Sequence, residues 1–145
     1  MNSFMELPIQ ENHPIVLLDE LCDLCSGITK GRKIDSMETT NVPYMAVANV
    51  QDGKLRLDNV KTIEATPVEI ERYRLQPGDL LLTEGGDPDK LGRGAIWNGE
   101  IDVCIHQNHI FRARKASERI DMGYLAHLVS SAYGKQYFLR QSKQT

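Results

Sequence analysis

The stretch that constrains this chain most runs from residue 80 to residue 115. It opens with three consecutive leucines, Leu80 to Leu82, a run that is typical of a buried strand. A polar loop punctuated by glycines follows at 85–94. This loop is too short to link two domains and too polar to lie in a core. We therefore predict that it is a functional site and that the rest of the chain is the scaffold that holds it.

The length of the chain, 145 residues, predicts one domain that can bury a core without disulfides or metals. Residues 1–14 are predicted to be a loose lead-in, and residues 15–145 a single domain. The lead-in contains acidic side chains and lacks the apolar core of a signal peptide. No stretch approaches the ~20 apolar residues that a membrane span needs. The sequence therefore predicts a cytoplasmic protein with no membrane partner.

Strand signals dominate the first three quarters of the chain. Apolar runs and turn residues predict strands at 42–50, 54–57, 60–63, 79–84, 94–97, 102–107 and 109–115. Two turn dipeptides, Asp52-Gly53 and Asn98-Gly99, are expected to join neighbouring strands as hairpins.

Helix signals are fewer and lie mostly near the end. Thr66 as N-cap and Pro67 at the first helical position predict a helix that runs through 69–74. A stripe with helical spacing follows Asp121, and a further helix is expected after Gly134; the stripe consists of Met122, Leu125, Ala126, Leu128 and Val129. The fold class predicted is α+β, a mixed and mostly antiparallel β-sheet domain with peripheral helices.

Catalytic and metal-binding interpretations find little support. Cys22 and Cys25 have C-x-x-C spacing, but no second pair completes a zinc ribbon, and buried thiols are the favoured interpretation. Cys104, His106 and His109 form a conceivable zinc site, although zinc ligands normally converge from separated segments. A Cys104–histidine nucleophile is equally disfavoured, because a thiol in a hydrophobic strand is usually inert. We expect neither a catalytic residue nor a metal.

Charge and loop composition favour binding to a polyanion. Residues 106–145 carry seven basic and two acidic side chains, a net +5 in a chain whose total is −3. The 27–41 loop contains Lys30, Arg32 and Lys33, which can reach a phosphate if the loop is not simply a disordered surface segment. Lys90 and Arg93 in the glycine loop can hold phosphates.

Four hydrogen-bonding side chains, residues 106–109, follow the glycine loop. Gln107 and Asn108 can pair bidentately with adenine, and an arginine with guanine. The alternative is that this run satisfies buried backbone groups at a tight bend. The alternation in 109–115 is imperfect, which leaves open whether Arg112 or Arg114 faces solvent.

Three blocks of the chain resemble one protein family in order. The blocks are VPYMAVANVQDGKL, the stretch from YRLQPGDLLLTEGG to HQNHIFRAR, and the segment YLAHLVSSAYGKQYFL. They resemble the target recognition domain of the specificity subunit of type I restriction-modification enzymes, from about residue 15 onward. The resemblance implies a fold similar to the DNA-recognition domain of adenine-N6 DNA methyltransferases.

The resemblance also implies a role. Such a domain reads one half of a bipartite target in double-stranded DNA and performs no chemistry. Adenine-N6 methyltransferase subunits and a restriction subunit would be its partners, and S-adenosylmethionine and ATP would belong to them. The chain stops where a spacer helix should follow, so we expect a truncated form, a natural half-subunit or a gene fragment that is mostly monomeric. The alternative is a protein-interaction module, or decoy, that binds methyltransferase subunits without reading DNA.

Residues shared across a family that reads different sites cannot be its base readers. The matched positions are therefore expected to shape the site or hold phosphate; they are Gly85, Gly86, Gly92, Arg93, Gly94, His106, Gln107, Asn108 and His109. Base reading is expected in the 28–41 loop and at 87–90. The predicted DNA-binding residues are Lys30, Arg32, Lys33, Lys90, Arg93, Arg112 and Arg114.

Overall fold

A computed structural model describes residues 16–35, 38–84 and 92–131 together with Gly134. The predicted lead-in at 1–14 and the helix expected after Gly134 lie outside the described residues. So do three predicted site residues of the glycine loop, Gly85, Gly86 and Lys90. Within the described part of the chain, no helix is long and apolar enough to cross a membrane.

A four-stranded antiparallel sheet forms one half of the fold. Its strand order is β1-β7-β4-β5, where β1 is Cys22–Ser26, β7 is Ile110–Lys115, β4 is Leu80–Thr83 and β5 is Gly94–Ile96. Strand β4 lies inside the sheet and every one of its residues is buried, as the leucine run predicts. Leu81 packs into the core on one face of the sheet, and Leu80 and Leu82 pack into the core on the other.

A three-stranded sheet forms the other half, with the order β3-β2-β6. Strand β2, Thr40–Met45, pairs antiparallel with β3, Lys61–Ala65, and parallel with β6, Ile105–His106. Ile28, Val42, Tyr44 and Ile105 belong to the apolar cluster of this sheet. The mixed, mostly antiparallel α+β fold predicted from the sequence is confirmed.

Two helices accompany the sheets in the described residues. Helix α1, Pro67–Tyr73, begins as predicted: the Thr66 hydroxyl accepts from the Glu69 amide at 3.2 Å, and the Glu69 carboxylate accepts from the Thr66 amide at 3.0 Å. Helix α2, Met122–Ser130, covers the outer face of the four-stranded sheet with Leu125 and Val129. These two residues belong to the predicted helical stripe.

The strand predicted at 42–50 is confirmed only in its first part, and the strand predicted at 54–57 is wrong, because local turns are favoured over pairing. The strand predicted at 42–50 ends at Met45, and a 3-10 turn, Val47–Asn49, follows it. Residues 54–57 form no strand, since only one isolated bridge joins Val50 to Leu55. The Asn49 side chain accepts from the Ala46 amide and donates to two later carbonyls, which holds a compact loop in place of a hairpin.

The hairpin predicted at Asn98-Gly99 is also wrong. Strand β5 ends at Ile96, and the next strand, β6, joins the other sheet alongside β2. The segment between them therefore crosses from one sheet to the other. Asn-Gly supplies a backbone turn, with φ of +82° at Gly99, but tertiary packing decides which strand comes next.

An ion pair between a partly buried arginine and a buried aspartate links strand β7 to the turn that precedes β4. The Asp79 carboxylate, 1% exposed, accepts from Arg114 Nε and Nη2, both at 2.8 Å, and from the Gln76 amide at 2.7 Å. The pKa of Arg114 is raised, chiefly by its hydrogen bonds to Asp79. Pairing in this geometry satisfies both oxygens of a carboxylate that burial would otherwise disfavour.

The arginines of β7 also hold the end of helix α1. Arg112 Nη1 donates to the Arg72 carbonyl, and Arg114 Nη2 donates to the Arg74 carbonyl, both at 3.0 Å. The last carbonyls of a helix have no partner within the helix, and cations near this end are stabilising. Strand β7 therefore fixes α1 against the four-stranded sheet.

Replacing Asp79 tests this link. Asp79→Asn should lower the free energy of unfolding by roughly 3 kcal/mol, because it leaves Arg114 beside a partner that cannot satisfy both of its donors. Urea denaturation at neutral pH measures the change. Asp58→Asn is the matched control, since it breaks the exposed Arg56–Asp58 pair and should change stability little. Equal losses in the two variants would contradict the structural role given to Asp79.

Candidate nucleic-acid interface

The antiparallel pairing brings four strand ends to one edge of the four-stranded sheet. Ser26 pairs with Phe111, Thr83 with Ile110, and Leu82 with Gly94. We call this end, formed by Ser26, Thr83, Gly94 and Ile110, the loop edge. The three predicted site segments leave from it: the loop after β1, the glycine loop between β4 and β5, and the 107–109 turn before β7.

The backbone of residues 106–109 ties the loop edge to both sheets. The Ile28 amide donates to the His106 carbonyl at 2.8 Å, and the Asn108 amide donates back to Ile28 at 2.9 Å. The Gln107 amide donates to Met45 at 3.0 Å, and Glu84 donates to the His109 carbonyl at 2.9 Å. The run therefore joins β1, β2 and β4 through main-chain bonds.

Gly27 lets these segments approach each other. A Cβ at this position would collide with the carbonyl oxygens of His106 and Gln107. A glycine is therefore required for the loop after β1 to pass beside β6.

The His106 side chain lies inside the domain. Its Nδ1 is 2.8 Å from the Ile110 carbonyl oxygen, so Nδ1 is the protonated nitrogen, and Nε2 is buried with no partner among the described residues. Burial lowers the pKa of His106 to about 4, and its hydrogen bond to Ile110 opposes this only in part. The neutral ring meets the edge of Tyr73 at a centroid distance of 6.0 Å. His106 is therefore placed where it supports the loop edge and cannot contact DNA.

The described end of the glycine loop is held by main-chain geometry. Gly92 has φ of +70°, which favours glycine. Thr83 and Arg93 bond each other, with the Thr83 amide donating to the Arg93 carbonyl at 2.9 Å and the Arg93 amide to Thr83 Oγ1 at 3.1 Å. A Cβ at Gly94 would approach Leu82 of β4 and Val129 of α2. These contacts fix where the Arg93 side chain begins, and that side chain is partly buried.

The cationic loop after β1 splits into anchored and exposed residues. Arg32 Nε and Nη2 donate to the Glu69 carboxylate at 2.6 and 2.7 Å, and Nη2 also donates to the Glu64 carbonyl at 2.7 Å. These bonds lower the pKa of Glu69 to about 2. Lys30 lies over the Tyr44 ring at 5.2 Å from its centroid, and both Lys30 and Lys33 are exposed.

Three of the arginines predicted to bind DNA make bonds inside the protein. Arg32 pairs with helix α1, Arg112 is buried, and Arg114 pairs with Asp79. A guanidinium group that is bonded inside the protein must break those bonds before it can reach a phosphate. The buried Nε of Arg112 has no partner among the described residues. The DNA contacts of these three arginines stay predictions. Of the other predicted cations among the described residues, Lys30 and Lys33 are exposed and Arg93 is partly buried.

The cysteines do not form a reactive or metal-binding cluster. Cys22 and Cys25 are three residues apart on β1, so their side chains point to opposite faces of the sheet. Cys104 is buried, and burial raises its pKa to about 12, which keeps the thiol neutral. No three His, Cys, Asp or Glu side chains of the described chain come close enough to hold a metal ion.

One segment at the loop edge was missed by sequence reasoning. The Gly53 amide donates to the Gly94 carbonyl at 2.8 Å, which places the 51–54 turn beside the glycine loop. Its Asp-Gly dipeptide indicates a turn, but no local signal indicates which surface that turn joins. The contact exists only in the folded chain.

A half-open cavity of about 390 Å³ lies at the opposite end of the sheet. Arg74, Pro77, Trp97 and Asp102 line it. These residues flank the start of β4 and the end of β5, away from Thr83 and Gly94. The cavity is therefore separate from the loop edge.

Comparisons with known proteins found relatives of one kind. No family model matches the chain. The type I restriction enzyme StySPI specificity subunit of Salmonella potsdam is 25% identical over 126 residues, which cover 86% of this chain and 26% of the relative. The putative type I restriction enzyme MjaX specificity subunit of Methanocaldococcus jannaschii is 24% identical over 123 residues, covering 84% of this chain and 28% of the relative. The chain spans about a quarter of the length of these curated relatives.

A solved structure shares the fold. The S subunit of a type I restriction-modification system from M. genitalium matches with a TM-score of 0.51 over 98% of this chain and 32% of that one. Sequence identity is 15%, so this likeness concerns the fold. The relatives and the shared fold confirm the predicted resemblance to the target recognition domain of a type I specificity subunit.

The buried His106 should make the domain lose stability in acid at pH values higher than those at which its carboxylates become protonated. Its pKa falls from 6.5 in the unfolded chain to about 4 in the folded one, so the unfolded state binds more protons between these values. The free energy of unfolding therefore keeps its full value with respect to His106 above pH 6.5. It decreases as the pH falls toward 4, by up to roughly 3 kcal/mol. The Glu69–Arg32 pair should lose its contribution only below pH 4.5.

His106→Gln separates the two effects. The variant should be less stable near neutral pH, yet it should lose the decline between pH 6.5 and 4 when unfolding is followed in urea. A Glu69→Gln variant should keep that decline. An unchanged acid profile in His106→Gln would show that another group is responsible.

Proposed function

We propose that this chain, similar in sequence and fold to part of the type I specificity subunits, is a target recognition domain that binds double-stranded DNA sequence-specifically. In this proposal it forms one domain over residues 15–145 and reads one half of a bipartite target. The observation that carries the proposal is the match to two specificity subunits over 84–86% of the chain. Both matches cover most of a domain of this fold and are not confined to a short motif.

The loop edge is the surface that suits this role. A rigid sheet presents three loops there, and binding residues are often carried by loops on such a scaffold. Lys30 and Lys33 supply exposed cations, and Arg93 supplies a partly buried one. In the proposal, Arg93 holds a phosphate, and so does Lys90, which lies outside the described residues.

Base reading is assigned to the loop after β1 and to residues 87–90. Arg32 fixes the first of these loops to helix α1, while Lys30, which lies over the Tyr44 ring, and Lys33 are both exposed. The glycines and the 106–109 run shape the site in this division of roles. Phosphate contacts would set the orientation of the domain, and the reading loops would set its sequence preference.

The total charge of −3 limits the affinity of the chain for DNA. Distant acidic residues repel the duplex, so attraction must come from the local cations at the loop edge. Affinity should therefore be modest and should fall steeply as salt concentration rises.

The chemistry is assigned to partner subunits. Adenine-N6 methyltransferase subunits would use S-adenosylmethionine, a restriction subunit would use ATP, and this chain would direct both to the DNA target. The proposal gives the chain no cofactor and no catalytic residue. The neutral Cys104 and His106 in its interior support that assignment.

A protein-interaction module that binds methyltransferase subunits without reading DNA is the second candidate. The negative total charge favours it. Two exposed leucines also favour it: Leu17, 66% exposed, precedes strand β1, and Leu24, 40% exposed, lies within that strand. Exposed apolar side chains can mark protein contacts. Capture of a methyltransferase subunit by a chain with no affinity for duplex DNA would support this candidate.

Selection from randomised duplexes tests the leading proposal. The chain should enrich one short motif. Arg93→Ala should weaken binding to every sequence and make the slope of log K against log salt shallower by about one, as loss of a phosphate contact requires. Arg119→Ala is the matched control, because this exposed arginine follows β7 at the opposite end of the sheet.

Two outcomes would count against the proposal in different ways. Failure to enrich any motif would overturn sequence-specific recognition. If Arg93→Ala and Arg119→Ala change affinity and salt slope equally while a motif is still enriched, the chain recognises DNA through a surface other than the loop edge.

A further inference from the structure

The turn at 51–54 is docked onto the glycine loop, although 41 residues separate Gly53 from Gly94. The Gly53 amide donates to the Gly94 carbonyl at 2.8 Å. Gln51 Oε1 accepts from Arg93 Nη1 at 3.4 Å. Arg93 and this turn therefore share one surface at the loop edge.

The turn is rigid at its base. The Gln51 amide donates to the Lys54 carbonyl at 2.9 Å, and Val50, which is fully buried, bridges to Leu55. The buried Asn49 side chain donates to the carbonyls of Arg56 and Asn59 at 2.9 and 3.0 Å. These bonds anchor both ends of the turn to the core.

The tip of the turn is exposed to solvent. Gly53 has φ of +80°, and a Cβ built on it would meet no atom within 4 Å. Lys54 beside it is exposed, and no ion pair engages it within the described part of the chain. The turn therefore presents an ammonium group from a preorganised base.

We propose that this turn is a further DNA-contacting element and that Lys54 donates to a backbone phosphate of the duplex that Arg93 contacts. The inference rests on the proposed function and adds a residue that the site prediction does not contain. A lysine ammonium binds phosphate as a point charge and needs no fixed donor geometry. A rigid base limits the conformational entropy lost when the contact forms.

The test uses the full chain and a fluorescently labelled duplex of random sequence, several helical turns long. Phosphate contacts contribute to affinity for any DNA sequence, so the measurement does not require knowledge of the target sequence. Lys54→Ala should weaken binding several-fold and make the slope of log K against log salt shallower by about one. Thermal unfolding of the variant should match that of the unmodified chain, because Lys54 is exposed.

Lys115→Ala is the matched control. It removes the same charge from an exposed lysine at the end of β7 that pairs with Cys22, opposite the loop edge. Its salt slope should stay unchanged. If Lys54→Ala and Lys115→Ala behave alike while the unmodified chain binds, this inference is overturned and the proposed function stands. If the unmodified chain binds no duplex, both are overturned.

Discussion

The ion pair between the buried Asp79 and the partly buried Arg114 is the interaction on which the arrangement of this domain depends. It joins strand β7 to the turn before β4, and the same arginine holds a carbonyl at the end of helix α1. The pair Arg32–Glu69 holds the other end of that helix. A helix of seven residues has little stability of its own, so these ion pairs and the adjacent apolar contacts fix its position. Two sheets and a short helix thereby become one body.

The polar loops of the predicted site begin at one end of the four-stranded sheet. Antiparallel pairing sets the ends of β1 and β4 beside the starts of β5 and β7, and main-chain bonds of residues 106–109 lock them together. The exposed cations of the loops then lie near an end of the sheet that main-chain bonds hold together. Most of the arginines in this neighbourhood hold the protein together. The proposed DNA contacts consequently fall to fewer residues than a count of positive charges indicates.

Local signals predicted the elements whose structure is decided locally. The three leucines of β4 and the Thr66-Pro67 start of α1 are examples. The bonds of Arg112 and Arg114 to carbonyls at the end of helix α1 could not be predicted, because an arginine bound to a helix carbonyl has the same sequence signature as one free to bind phosphate. The prediction of a hairpin at Asn98-Gly99 was wrong because a turn dipeptide does not specify which sheet the next strand joins. The docking of the 51–54 turn depends on a tertiary bond that no nearby residue reveals.

The central claim is that the loop edge is the DNA-binding surface. Amide resonances of the isotope-labelled chain, followed by NMR as duplex DNA is added, test it most directly. We expect shifts at 51–54, at Arg93 and at 107–109, with little change in helix α2 or at the end of β7. Shifts confined to α2, or to the cavity lined by Arg74 and Trp97, would contradict the account.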